Sequence, residues 1–124
     1  MNVEGNLAFR IVEQTATRVV GEMPVQAGMR NPFGTVHAGA MIWFADVCAT
    51  VLAMGSTEAS AGMKGFPLAI SLNAHLVGNQ TGGTLTAEST FVKQGRSVSV
   101  VRTLVRGEGG KLLADLTTSH VLSK

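Results

Sequence analysis

The chain has 124 residues, 45% of them hydrophobic and only 15% charged, with a formal net charge of +2. That length suits one domain, 1–124, with a real core, and the sparse charge points to surface hidden in a homo-oligomer. Ten scattered Lys/Arg, one Trp and no Tyr argue against a nucleic-acid-binding face, and the single cysteine, Cys48, excludes an internal disulfide and a cysteine-based zinc site.

The opening MNVEGNLAFRIVEQ is polar and mixed and does not read as a secretory leader, so a cytoplasmic location is expected, with this stretch forming a short helix or an arm. From Thr15 to Gln26 the run TRVVGEMPVQ predicts a strand, with Pro24 favouring an edge or an end. AGMRNPFG is loop, punctuated by Gly28, Pro32 and Gly34. A long helix is expected from about Val36 to Gly55, apolar on nearly every face, so other structure must wrap it. It is no membrane span. Asp46 near its middle costs about 2.5–3.5 kcal/mol on insertion scales.

Past GSTEASAGMKG the hydrophobic period drops to two. In PLAISLNAHLV, Leu68, Ile70, Leu72, Ala74 and Leu76 alternate with Ser71, Asn73 and His75, predicting a half-buried strand. NQTGG reads as a turn, TLTAESTFV as a strand, Gln94-Gly95 as a tight turn into SVSVVRTLVR, and GEGG as a turn into KLLADLTTSHVL. The short connections predict that the four later strands form one antiparallel meander. The expected class is α+β: a curved antiparallel sheet wrapped around one long central helix, the hotdog fold.

Asp46 is the residue to explain. An unpaired carboxylate among apolar residues costs several kcal/mol, so it finds partners, shifts its pKa or serves a function. At about 100° per residue, Thr50 shares its face, while His37, nine residues earlier, points about 180° away. One helix therefore cannot bring both ends to one site, whereas two antiparallel copies in a dimer can. At the helix start, the backbone N–H groups of Ala38 and Gly39 suit a developing oxyanion, and their small side chains allow a carbonyl close. Asn31 can orient a water or the carbonyl. His37 is either part of the site or a helix-start residue. A carboxylate, an oxyanion site and a polar amide together suit acyl transfer to water.

The stretch NPFGTVHAGAMIWFAD, 31–46, resembles the signature of hotdog-fold acyl-CoA thioesterases of the phenylacetic-acid-degradation (PaaI-like) type. That signature is an Asn, then G-x-x-H-G-G, then an acidic residue nine after the His. The likeness covers nearly the whole chain, with KQGR at 93–96 as a supporting match. It implies Asp46 as nucleophile or general base, Asn31 as the orienting amide, and the Ala38 N–H as oxyanion donor, where the family usually carries Gly. It further implies Thr50 as a supporting hydroxyl, while a serine that some relatives place on the next strand falls on Ala69. Relatives of this kind share sites between subunits of dimers or tetramers and use no metal or prosthetic group. Arg30, Lys93 and Arg96 are the implied contacts for CoA phosphates, with Gly39 beside the substrate.

The activity expected is hydrolysis of an aryl- or medium-chain acyl-CoA to the free acid and CoA. Met41, Ile42, Trp43 and Phe66 are either acyl-pocket walls or core. Two other readings stand beside this one: a hydratase-dehydratase of enoyl or β-hydroxyacyl thioesters, which needs a His and an acid converging, and a module that binds acyl-CoA without turnover.

Overall fold

Helix α1, Ala38–Met54, begins where His37 takes extended angles (φ −65, ψ 132) and its imidazole Nδ1 accepts the Gly39 N–H. Gly55 ends it with φ +68, a left-handed conformation that glycine adopts freely. The helix is thus slightly shorter than Val36–Gly55, because Val36 is held in an isolated bridge with Arg30. In the computed structural model the described residues are 6–55 and 67–122. Most of GSTEASAGMKG and Phe66 lie outside them.

Six strands form one antiparallel sheet: β1 Arg10–Gln14, β2 Arg18–Pro24, β3 Pro67–Leu76, β4 Thr84–Gln94, β5 Val98–Arg106 and β6 Leu112–Leu122. Their spatial order is β1-β2-β4-β5-β6-β3. The sheet curves around α1, which touches β2 through β6. Phe44, Met41, Cys48 and Leu52 of the helix are buried against Val19, Met23, Leu85, Val101, Val105, Leu113 and Leu116 of the strands. Burial pushes the Cys48 thiol up to about 12, so it packs as a small hydrophobe and is not a nucleophile. At Gly21 a Cβ would lie 2.8 Å from the Cys48 Sγ and 2.9 Å from the Phe44 ring, so glycine there lets β2 approach the helix.

Three sequence expectations change. The segment expected to be a helix or an arm contains β1, which pairs with β2 through Arg10↔Glu22 to Gln14↔Val19. The predicted strand from Thr15 to Gln26 is trimmed to Arg18–Pro24, since Thr15 and Arg18 close the β1–β2 turn. The four-strand meander is also incorrect: only β4-β5-β6 are consecutive neighbours, and β3 lies at the far edge beside β6.

The physical reason is the connection after β3. NQTGG does not make a hairpin. The Val77 and Gly78 N–H groups bond to the Leu113 carbonyl at 2.9 and 3.1 Å, keeping the chain on β6, and Gly83 then accepts from Val25 beside β2. In crossing, Asn79 clamps the segment before α1, accepting from the Val36 N–H and donating to the Val36 carbonyl, both at 2.9 Å.

Strand β3 is also not half-buried. Leu68, Ile70, Leu72 and Leu76 are 41–59% exposed, as expected of an edge strand with one free side. Its strict alternation breaks at a bulge between Ala69 and Ser71, which leaves Ala69 opposite His120 of β6.

Candidate functional site

The candidate residues fall into two groups along α1. The first surrounds its N-terminus, where Asn31 ties the loop into a closed turn. Its Oδ1 accepts the Phe33 and Thr35 N–H groups at 2.9 and 3.2 Å, and its Nδ2 donates to the Thr35 Oγ1 at 2.7 Å. Both oxygen lone pairs are engaged, so the spare capacity of Asn31 is one N–H donor. His37 is the helix cap, and it consumes the Gly39 N–H at 2.8 Å. The ring lies so close that a Cβ on Gly39 would meet it at 3.0 Å. The Ala40 N–H returns to the His37 carbonyl. Among the described residues the Ala38 N–H has no acceptor, which leaves it as the open donor at the positive end of the helix dipole.

The second group lies in the middle of α1. Asp46 and Thr50, half-buried and one turn apart, line a groove of about 340 Å³. Val47, Val51 and Met54 of the helix and Pro67, Leu68 and Ala69 of β3 form its other walls. The lining is mostly apolar and the volume lies within the range of small-ligand sites. The Asp46 Oδ1 is buried and has no hydrogen-bond partner among the described residues.

These walls differ from the acyl-pocket candidates suggested by sequence. Met41 is core, Trp43 packs edge-on against Phe9 at 5.0 Å between centroids, and Phe66 lies outside the described residues. Val47, Val51 and Met54 share Asp46's side of α1 at helical spacing, a signal hidden because the helix is apolar all round.

Within one chain the two groups do not meet. Eight positions separate Ala38 from Asp46, which at 1.5 Å per residue is roughly 12 Å along the axis. The implied phosphate contacts are spread more widely. Arg30 is exposed and donates to the Thr81 carbonyl at 3.2 Å, Lys93 is exposed near the end of β4, and Arg96 lies in the β4–β5 turn.

A second, smaller cavity of about 150 Å³ lies beyond Pro67 and is lined in part by Ala53, Arg96, Ser99 and His120. His120 is 2% exposed. Its Nε2 lies 2.8 Å from the Thr118 Oγ1, and its Nδ1 is buried without a partner among the described residues. Burial pushes its pKa below the ordinary 6.5, while the Asp46 carboxylate pulls it back up. Nothing in its local sequence singles out this residue.

No described helix is long and apolar enough to cross a membrane. Residues 5–109 match the DUF4442 family, described as a domain of unknown function. The chain is 31% identical over 111 residues to a candidate esterase, ComA2, of Bacillus subtilis, covering 86% of this chain and 82% of that protein. It is 32% identical over 105 residues to a candidate esterase of Deinococcus radiodurans, covering 85% of this chain but only 64% of that longer protein. In fold it is similar to thioesterase HI1161 of Haemophilus influenzae, with a TM-score of 0.83, 22% identity, and 94% and 78% of the two chains covered. A hypothetical thioesterase of Streptococcus pneumoniae, solved with coenzyme A, superposes with a TM-score of 0.81 at 15% identity, covering 94% and 86%. Strand order, central helix and kinship agree: the chain belongs to the DUF4442 family and has the hotdog fold.

Proposed function

We propose that this chain hydrolyses an aryl- or medium-chain acyl-CoA thioester to the free acid and CoA. The observation that carries the proposal is Asp46, a carboxylate with an unbonded buried oxygen set in an apolar groove. Such a group is costly to retain unless a ligand or a reaction uses it. The similarity to named esterases and to a thioesterase solved with coenzyme A supports the thioester as substrate.

In this reading the thioester oxygen accepts from the Ala38 N–H at the N-terminus of α1, and the spare Asn31 N–H orients the carbonyl or the attacking water. Asp46 attacks the carbonyl carbon, expelling the CoA thiolate and leaving a mixed anhydride that water opens; alternatively it takes the proton of a water that attacks. Thr50 steadies the carboxylate. Val47, Val51, Met54 and Leu68 enclose the acyl group. Arg30, Lys93 and Arg96 meet the CoA phosphates, and Gly39 leaves room beside the oxyanion. His37 acts through the helix cap.

The gap of roughly 12 Å between donor and carboxylate is too long for one carbonyl. A dimer resolves it, with the Ala38 end supplied by one protomer and Asp46 by its partner. The open edge of β3, with Leu68, Ile70 and Leu72 exposed, supports pairing of the two sheets there.

The deciding experiment is thiol release from a panel of acyl-CoA esters by wild type and Asp46→Asn, with sedimentation to give the oligomeric state. Wild type is expected to turn over as a dimer or a dimer of dimers. The variant should be slower by at least ~100-fold while remaining folded. Equal rates would remove Asp46 from the mechanism. Binding without thiol release would instead favour an acyl-CoA-binding module, and loss of the enoyl absorbance of crotonyl-CoA a hydratase.

A further inference from the structure

We propose that His120 is a positioning residue for Asp46: its Nδ1–H, fixed on that nitrogen by the Thr118 hydroxyl, hydrogen-bonds the Asp46 Oδ1 through one bridging water behind the Ala69 wall of the groove. The inference rests on the thioesterase reading for its catalytic consequence, though not for its geometry.

Two buried side-chain polar atoms lack a hydrogen-bond partner among the described residues, and they are the Asp46 Oδ1 and the His120 Nδ1. Such atoms are uncommon in folded proteins, because each forfeits its hydration with nothing in return. Here one is an acceptor and the other a nitrogen able to donate, and they approach the same place from two elements. Asp46 faces Ala69 across the groove, and Ala69 is the cross-strand partner of His120. The β3 bulge creates that pairing, and the alanine methyl leaves little bulk between the groove and the ring. Pro67 lines both the Asp46 groove and the His120 cavity, so the two spaces share a wall. Asp46 is also close enough to act electrostatically on the imidazole.

In this proposal Thr118 sets the tautomer. A neutral imidazole has one donor and one acceptor nitrogen. When the Thr118 hydroxyl donates to Nε2 at 2.8 Å, the proton must sit on Nδ1, facing the carboxylate. Among the described residues the charged groups around the ring are Asp46 from α1 and Arg96 from the β4–β5 turn, while Ala53, Ala69 and Ser99 carry none. An Nδ1–H bond would hold one Asp46 oxygen still and leave the other free to act on the thioester or the water. It would also favour the ionised carboxylate.

Four variants and one spectrum test this. His120→Phe removes the donor but fills the space. His120→Asn returns an N–H close to the Nδ1 position, and Asp46→Asn is run beside them. The expected result for His120→Phe is a fall in kcat of roughly 10- to 100-fold with KM little changed. The acidic limb of its pH–rate profile should move upward by about one unit, and His120→Asn should restore most of both. In wild type, nitrogen-15 NMR of the labelled histidines should show His120 protonated on Nδ1, with that signal displaced in Asp46→Ala.

An unmoved acidic limb in a folded His120→Phe protein, or a proton on Nε2 in wild type, would overturn the proposal. Should His120→Phe fail to fold, the spectrum of wild type against Asp46→Ala decides. Full activity in Asp46→Asn would sink the thioesterase mechanism instead, and the spectrum would still report whether the two side chains are coupled.

Discussion

The N-terminal end of α1 and its middle contain similar polar chemistry in opposite states of completion. At the N-terminus, Asn31 uses both lone pairs and one N–H, His37 takes the Gly39 N–H, and Asn79 closes both polar groups of Val36. In the middle, Asp46, and His120 of β6 across β3 from the groove wall, each keep a buried polar atom without a partner among the described residues. Among the described residues the saturated end is a closed hydrogen-bonded frame with two open donors, the Ala38 N–H and the spare Asn31 N–H. The unsaturated middle costs free energy to maintain, which the proposed Asp46–His120 pairing and the proposed reaction would offset.

Ala38→Pro breaks the comparison most severely. Proline is accepted at the first position of a helix, and His37 already has the extended angles that a residue before proline requires. The substitution therefore deletes one N–H and little else. Loss of an oxyanion donor should lower kcat by about 100- to 1000-fold, with circular dichroism and melting temperature close to wild type. A fully active Ala38→Pro protein would show that this donor takes no part in the chemistry.

Asn31→Asp is a gentler cut. Aspartate keeps the oxygen that accepts from Phe33 and Thr35 but loses the N–H that reaches the Thr35 hydroxyl and the spare one proposed for substrate. It also sets a negative charge near the developing oxyanion. A fall in kcat/KM of roughly 10- to 100-fold is expected, with a small change in thermal stability. If stability collapses and the activity per folded molecule is unchanged, Asn31 serves only the loop.

Much of this arrangement was legible in the sequence, for identifiable reasons. The helix shows in its unbroken apolar run, and β4 and β5 in their period of two. Asp46 and Thr50 stand out because they are polar at helical spacing within that run. What stayed hidden depends on contacts distant in the chain. The transfer of β3 to the far edge is decided by the bonds of Val77 and Gly78 to Leu113, which no local pattern encodes. Strand β1 is short and mostly exposed, so RIVEQ carries little of the alternation that reveals a strand. His120 lies in TTSHVL, where a lone histidine among small polar residues looks like the solvent side of a strand. Only the register with Ala69, shifted by the bulge, sets it across from a residue of the groove wall.

The smallest expected effect concerns stability and isolates His120 in solution. Desolvation lowers its folded-state pKa below the ordinary 6.5, against the pull of Asp46. The unfolded chain therefore binds a proton more readily than the native one. Stability from this residue is fully present above pH 6.5 and is lost as pH falls from there through the lower native value. For one proton the slope cannot exceed about 1.36 kcal/mol per pH unit. Asp115 is held below its ordinary 3.8 chiefly by the hydrogen bond from Arg102, so its own loss of stability lies at more acid pH and does not overlap. Urea unfolding of wild type and His120→Phe between pH 7.5 and 5, in steps of about half a unit, should show a decline in wild type that the variant lacks. Parallel curves would mean that His120 takes up its proton in the folded protein without penalty. The imidazolium would then have to find solvent or a counter-charge, and the contrast between a saturated frame and an unsaturated, desolvated middle would fail at that residue.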